Sequence, residues 1–247
     1  MAKTMTNIRI QKTLAEAGVA SRRTAEQMIL DGRITVNGQL VMKLPCFVDP
    51  RHDDIRLDNK PVRKSAARKV YVLLNKPRGV SCTQRDPRGR PVAADLVSGV
   101  DERIYCVGGL DEETTGLVVL TNDGEMTQHL THGGMVRSTY LVELDGGLSE
   151  QDAEKLRAGM YFDGKKTPPV KVKTLRGTAN WGVLEIEIVE GRNPRLRRML
   201  ARLGRKVLRL KRTAVGPLTE RGLKIGHWRM LSDREVRHML PPERRSD

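Results

Sequence analysis

Asp111 stands in the segment Val107-Gly108-Gly109-Leu110-Asp111-Glu112-Glu113-Thr114-Thr115-Gly116-Leu117. A glycine pair precedes it, and the apolar run Leu117-Val118-Val119-Leu120 follows. A carboxylate held on a turn at the mouth of a buried strand is placed to act as a nucleophile or base. By itself such an acid could equally cap a turn. Downstream, residues 192–212 hold eight Arg, two Lys and no acidic residue. One fixed acid beside a dense cationic segment points to chemistry on a polyanion.

The rest of the composition narrows the partner. The 247 residues carry a formal net charge of +15, which favours nucleic acid through long-range attraction and counterion release. No stretch approaches the roughly 20 apolar residues that a membrane span needs, and the amino end has no apolar segment of the signal-peptide kind. The cysteines, Cys46, Cys82 and Cys106, are odd in number and widely spaced. They imply a reducing, cytoplasmic setting with structural thiols and no metal site. His129 and His132 have helical spacing but no evident third ligand, and Gly108-Gly109 lacks the dinucleotide-binding spacing. Only eight residues are Phe, Tyr or Trp, which disfavours recognition by a broad aromatic sheet.

Several elements are expected to position these residues. Ile10, Leu14 and Ala17 have helical spacing that Gly18 ends; Ser21 can cap a second helix bearing Ala25, Met28 and Ile29, stopped by Asp31-Gly32. Ile34–Val36 and Gln39–Val41 flank Asn37-Gly38, a type I′ hairpin signal. Arg22, Arg23 and Arg33 surround the second helix, where an RNA phosphate can dock. Residues 8–60 thus read as one small module, 61–69 as a linker, 70–240 as a larger domain and 241–247 as a flexible tail.

In the larger domain, Val70–Leu74 reads as a strand running into a turn-rich segment, Asn75-Lys76-Pro77-Arg78-Gly79-Val80, and Asp86–Pro91 as a basic loop. Leu117–Thr121 and Tyr140–Leu144 read as strands, and Ser149 with Asp152 has capping-box spacing. Leu184, Ile186 and Ile188 alternate with Glu185 and Glu187 as in a strand. Leu196, Met199, Leu200 and Leu203 form the stripe of an amphipathic helix ended by Gly204. Strands outnumber helices, so the domain is expected to be α+β on a mixed, mostly antiparallel sheet.

The stretch from Arg9-Ile10-Gln11-Lys12 through Ala15–Arg23 to Gly32–Gly38 resembles the S4 RNA-binding domain. Farther on, nearly the whole chain resembles the ribosomal RNA pseudouridine synthases that carry an amino-terminal S4 domain. The resemblance rests on Leu74–Gly79, Leu110–Thr114, Gly116-Leu117, Thr121–Gly124, Tyr140–Val142, Glu190–Asn193, Arg197–Met199, Leu208–Arg212, Gly216–Leu218 and Gly226–Arg229. It implies that a uridine in RNA is converted to its C-glycoside without a cofactor. Asp111 would start the reaction, Tyr140 would pack on the uracil and accept the final proton, and Arg197 would pair with Asp111. These roles suit an ionised carboxylate needing a cationic partner and a base needing a stacking ring. Lys76, Arg78, Arg88, Arg90, Arg192, Arg195, Arg198, Lys211 and Arg212 join the three S4 arginines as expected RNA contacts. The partner would be ribosomal RNA, of the large subunit, or a pre-ribosomal particle, met by a monomer.

Three positions depart from the family pattern. Gly109 replaces an arginine that helps to push out the target base, a step costing on the order of a few kcal/mol. Ser138 replaces a lysine, and Pro194-Arg195 replaces a basic residue followed by Gln; Pro194 suits a helix's first turn. Either the target uridine is loosely held and Arg137, Arg195 or Arg88 substitutes, or the chain is an S4-type RNA-binding or assembly protein with impaired catalysis. Retained Asp111, Tyr140 and Arg197 favour the first.

Overall fold

The computed structural model describes residues 7–62, 68–132, 136–162, 164–178, 180–189 and 195–240. The chain divides into two compact units between Arg68 and Lys69. Among the described residues no helix is long and apolar enough to cross a membrane.

The first unit runs β1 (Ile8–Arg9), α1 (Ile10–Glu16), α2 (Arg22–Leu30), β2 (Ile34–Val36), β3 (Gln39–Val41), β4 (Phe47–Val48), β5 (Ile55–Leu57) and β6 (Lys60–Pro61). The Ser21 side chain accepts the Thr24 N–H at 3.1 Å and starts α2. Ile34 pairs with Val41 and Val36 with Gln39, so Asn37-Gly38 is a two-residue loop. Both take positive φ, 52° and 78°, as a type I′ turn requires. Ile10, Leu14, Ala25, Ile29, Ile34, Val48 and Ile55 make the core. Strand β6 pairs with β5 at Pro61, which enters the stretch read as a linker; residues 63–67 of that stretch, and the tail 241–247, lie outside the described residues.

The second unit holds β7 (Tyr71–Lys76), β8 (Tyr105–Val107), β9 (Thr115–Thr121), α3 (Gly124–His132), β10 (Arg137–Leu144), α4 (Glu150–Ala158), β11 (Tyr161–Phe162) and β12 (Lys165–Lys166). It continues with β13 (Lys171–Thr178), β14 (Trp181–Val189), α5 (Arg195–Arg202), β15 (Val207–Val215), β16 (Leu218–Thr219), β17 (Trp228–Met230) and α6 (Asp233–Met239). Nine strands form one sheet in the order β13-β14-β10-β15-β9-β7-β17, with β16 on β15 and β8 on β9. The β15–β9 pairing is parallel and the others in this sheet are antiparallel. The α+β architecture on a mixed, mostly antiparallel sheet is the one expected.

Both faces of the central strands are covered. Period-2 alternation sends Val72, Leu74, Val118 and Leu120 to one core, shared with Leu156 of α4 and Leu196, Met199 and Leu200 of α5. It sends Leu73, Leu117 and Val119 to the other, shared with Met126 and Leu130 of α3 and Met239 of α6. The sequence reading is corrected at Asn75-Lys76. These residues are not in a turn but end β7, paired with Leu117 and Gly116. At α4, Ser149 accepts the Asp152 N–H as expected, but the Asp152 carboxylate meets the Ser149 hydroxyl instead of its backbone. A complete capping box starts α6, between Ser232 and Glu235.

Strand β15 meets β9 through Lys211–Thr115 and Arg212–Gly116. Gly116 has φ +106°, and a Cβ there would lie 2.2 Å from the Arg212 carbonyl oxygen. Gly116→Ala is therefore expected to destabilise the fold by roughly 3–5 kcal/mol, from backbone strain and steric overlap. Urea unfolding of the variant and the parent checks this; equal midpoints would refute the close-packing account.

Candidate active site

Asp111 lies on the connection 108–114 between β8 and β9, just before the strand that Gly116 locks to β15. Its Oδ1 accepts the Thr114 N–H at 2.7 Å. The turn-capping role and a chemical role are thus compatible, because they use different oxygens. Arg197 Nε stands 3.5 Å from Asp111 Oδ2. That is an ion pair by distance, yet the buried Arg197 Nε makes no hydrogen bond. Arg197 Nη2 donates instead to Thr114 Oγ1 at 3.4 Å. The Asp111 side chain is 33 % exposed, so its carboxylate is reachable.

The loop is braced from three directions. Gly79 N–H donates to the Glu112 carbonyl at 2.7 Å. Arg78 pairs with Glu113. Arg90 bridges Asp86 at 2.7 Å and Glu112 at 2.6 Å. Cys82 Sγ accepts the Leu110 N–H at 3.3 Å. Hydrogen bonding to Cys106 pulls the Cys82 thiol well below its ordinary range, helped by that amide and by the Lys76 and Arg212 charges. The same bond and burial push Cys106 up. The sequence marked these thiols as merely structural. Lying 24 positions apart in the chain, they carried no spacing signal that would join them to Asp111. Three successive acids at 111–113 did carry one: neutralising them requires nearby cations, which Arg78, Arg90 and Arg197 supply.

Tyr140 is placed differently from an exposed stacking surface. In β10 the alternation buries Ser138, Tyr140, Val142 and Leu144, and Tyr140 is 1 % exposed within the main core. A base could stack on its ring only if the packing around it moved aside. The Ser138 hydroxyl is buried with no hydrogen-bond partner, so a lysine there would point its charge into the same interior.

The expected RNA contacts divide sharply. Lys76 and Arg212 are corrected. Lys76 is fully buried and donates to the Pro77 and Val80 carbonyls at 3.0 and 2.9 Å, and burial lowers its pKa. Arg212 is 3 % exposed, with Nε donating to the Leu117 carbonyl at 2.7 Å. Both hold backbone together. Arg33 pairs with Asp58 at 2.5 Å and Lys211 with Glu220 at 2.6 Å. Arg22, Arg23, Arg88 and Arg198 are exposed. Arg137, a suggested stand-in for the missing arginine, pairs with Glu187 at 2.7 Å. Arg192, Pro194 and the Arg195 side chain lie outside the described residues. His129 lies on α3, and no group of three or more His, Cys, Asp or Glu fit for a metal occurs among the described residues.

Comparison with known proteins fits this geometry. The family described as RNA pseudouridylate synthase matches residues 70–202, and the S4 domain matches residues 8–43. The chain belongs to the RNA pseudouridylate synthase family. An uncharacterized RNA pseudouridine synthase of Aquifex aeolicus is 38% identical, covering 96% of this chain and 95% of that protein. Ribosomal large subunit pseudouridine synthase B of Bacillus subtilis is 38% identical, covering 94% and 95%. A crystal structure of a pseudouridylate synthase superposes with TM-score 0.68 at 27% identity, over 94% of this chain and all of that one. The chain is an enzyme of this family, with an RNA substrate.

The brace has a pH signature. Hydrogen bonds from Arg90, aided by the Arg88 and Arg90 amides, hold the Asp86 carboxyl at about 2. An unfolded aspartate titrates near ~3.9. The folded value is the lower one, so this stabilisation is fully present above about pH 4 and disappears as pH falls towards about 2. Wild type is therefore expected to lose more stability between pH 5 and pH 2.5 than Asp86→Asn, by urea unfolding at each pH. Equal losses would show that the Arg90 bridge contributes nothing.

Proposed function

We propose that the enzyme isomerises a specific uridine of large-subunit ribosomal RNA to pseudouridine, with Asp111 as the catalytic carboxylate. The observation that carries this reading is the divided environment of Asp111. One oxygen is tied to the Thr114 amide, and the other faces Arg197 on a side chain that is 33 % exposed. The substrate class follows the name of the Bacillus subtilis relative, which matches this chain almost end to end.

The chemistry balances within one nucleotide. The N1–C1′ bond breaks, the uracil turns, and C5 bonds to C1′. The C5 proton leaves and N1 gains one, so no oxidant or co-substrate is consumed. Asp111 begins the process by attacking C1′ or by enabling removal of the C2′ proton. An ionised carboxylate is needed in either case, and the Arg197 guanidinium lies within ion-pair distance of it. Tyr140 serves as the aromatic surface and final proton acceptor once the packing around its ring moves aside. The exposed S4 arginines, Arg22 and Arg23, anchor the RNA electrostatically. The protein acts as a monomer on free ribosomal RNA or a pre-ribosomal particle.

The alternative, an RNA-binding protein with impaired catalysis, is favoured by Gly109, which offers no wedge. A Cβ at Gly109 would lie 3.3 Å from Cys82 Cβ, so this close approach disfavours a side chain unless Cys82 shifts slightly.

Two experiments test the reading. With an unmodified transcript of large-subunit ribosomal RNA, Asp111→Asn should lower single-turnover pseudouridine formation by more than about 10³-fold while leaving RNA affinity unchanged. A variant as active as the parent would remove Asp111 from the chemistry. Gly109→Arg should raise the single-turnover rate or tighten binding. If it does neither in a protein of unchanged stability, the target base needs no wedge.

A further inference from the structure

Away from Asp111, the hairpin after α4 presents Tyr161 at 64 % exposure. Phe47, in the first unit, is the other strongly exposed aromatic; the remaining Phe, Tyr and Trp residues are buried or half-buried. The base of the Tyr161 hairpin is tied by backbone and side-chain contacts. At its base, Gly159 takes φ +81°, and a Cβ there would lie 2.3 Å from the Thr167 carbonyl oxygen. Thr167 N–H donates to the Met160 carbonyl at 2.8 Å, and Met160 N–H to Thr167 Oγ1 at 3.0 Å. Phe162 enters the main core at 4 % exposure. Successive strand residues face opposite ways, so anchoring Phe162 turns Tyr161 outward.

Cations flank the hairpin that carries this ring. Lys166 is exposed and is the cross-strand partner of Tyr161. Arg202 lies 4.4 Å from the Phe162 ring centroid and donates to the Tyr161 carbonyl. Arg198 lies 5.5 Å from the same centroid. Both arginines come from α5, the helix whose Arg197 faces Asp111. This is poor chemistry for an apolar protein contact, which needs contiguous apolar surface. It suits a nucleotide, because every base has a π-face to stack and every phosphate a charge to neutralise.

We propose that Tyr161, Lys166, Arg198 and Arg202 form a docking platform for an unpaired nucleotide of the substrate RNA. Tyr161 stacks on the base, and the three cations take the flanking phosphates. The platform rests on the RNA-modifying reading above and adds a contact point carried on the same helix as Arg197. Tyr161 acts in binding and not in the bond-making steps.

The test measures equilibrium binding of an unmodified large-subunit ribosomal RNA transcript at one fixed salt concentration. Each Tyr161 variant is made in the wild-type chain and in Asp111→Asn. Tyr161→Ala should weaken binding by roughly 5- to 150-fold and raise KM, with the single-turnover rate at saturating RNA unchanged. Tyr161→Phe should bind within about twofold of the parent, since a phenyl ring stacks as well, and Tyr161→Leu should weaken binding as Ala does. Thermal melts of all three should match the parent, as the side chain is exposed. Binding of Tyr161→Ala within twofold of the parent overturns the platform. So does Leu substituting as well as Phe, which would identify a generic apolar contact for a protein partner. Binding in the Asp111→Asn chain needs no turnover. An inactive wild type with an intact Tyr161 effect would therefore refute the pseudouridine reading on this RNA and leave the platform standing.

Discussion

The close approach of Gly116 to Arg212 governs where everything else in the second unit can sit. It joins β9 to β15 in the parallel pairing of an otherwise antiparallel sheet. Parallel neighbours need a long crossover between them, and here that crossover includes α5. Asp111 immediately precedes β9, and α5 immediately precedes β15. The two strands run parallel, with Thr115 and Gly116 beside Lys211 and Arg212, so the segments leading into them, one carrying Asp111 and the other Arg197, lie at the same end of the sheet. Glycine is required because the partner's carbonyl occupies the space where a side chain would begin.

That placement creates an electrostatic problem which the surrounding loops solve. Asp111, Glu112 and Glu113 are consecutive acids, so three negative charges gather on one short loop. Arg197, Arg90 and Arg78 each meet one of the three. The acids that are not proposed to react thereby become anchors. Glu112 ties the loop to Arg90 and to Asp86, and Glu113 ties it to Arg78. A nucleophile or base must be held in place before its substrate arrives, and here the order comes from its neighbours in sequence.

Local features were legible in the sequence wherever one segment determines them. The Asn37-Gly38 turn, the Ser21 cap and the Leu196–Leu203 stripe depend on residues a few positions apart, and each was read correctly. Lys76 and Arg212 were misread for the complementary reason. A cation in a basic chain looks like a phosphate ligand until the tertiary structure shows which backbone carbonyls lack donors. Asn75-Lys76 looked like turn residues because polar groups before a proline usually are; pairing of both with β9, and bonds from Asn75 to Gly226 and His227 just ahead of β17, overrode that tendency. The Asp111–Arg197 pair was anticipated only through family resemblance, since 86 positions separate the partners. The Cys82–Leu110 contact had no sequence signature at all.

The same division changes what the +15 charge means. Long-range attraction depends on all the charges, but counterion release counts only cations that reach phosphates, with a slope near ~0.9 per contact. Lys76 and Arg212 are buried in structural roles, and Arg33, Arg78, Arg90 and Lys211 already have carboxylate partners. Contacts to RNA phosphates are therefore proposed for exposed cations outside these pairs, such as Arg22, Arg23 and Arg88. Phosphate contacts position the RNA and carry no sequence information directly. In the proposed reaction, the choice of a uridine then rests on the shape of the RNA around an unpaired base, which the proposed Tyr161 contact can read where charge alone cannot.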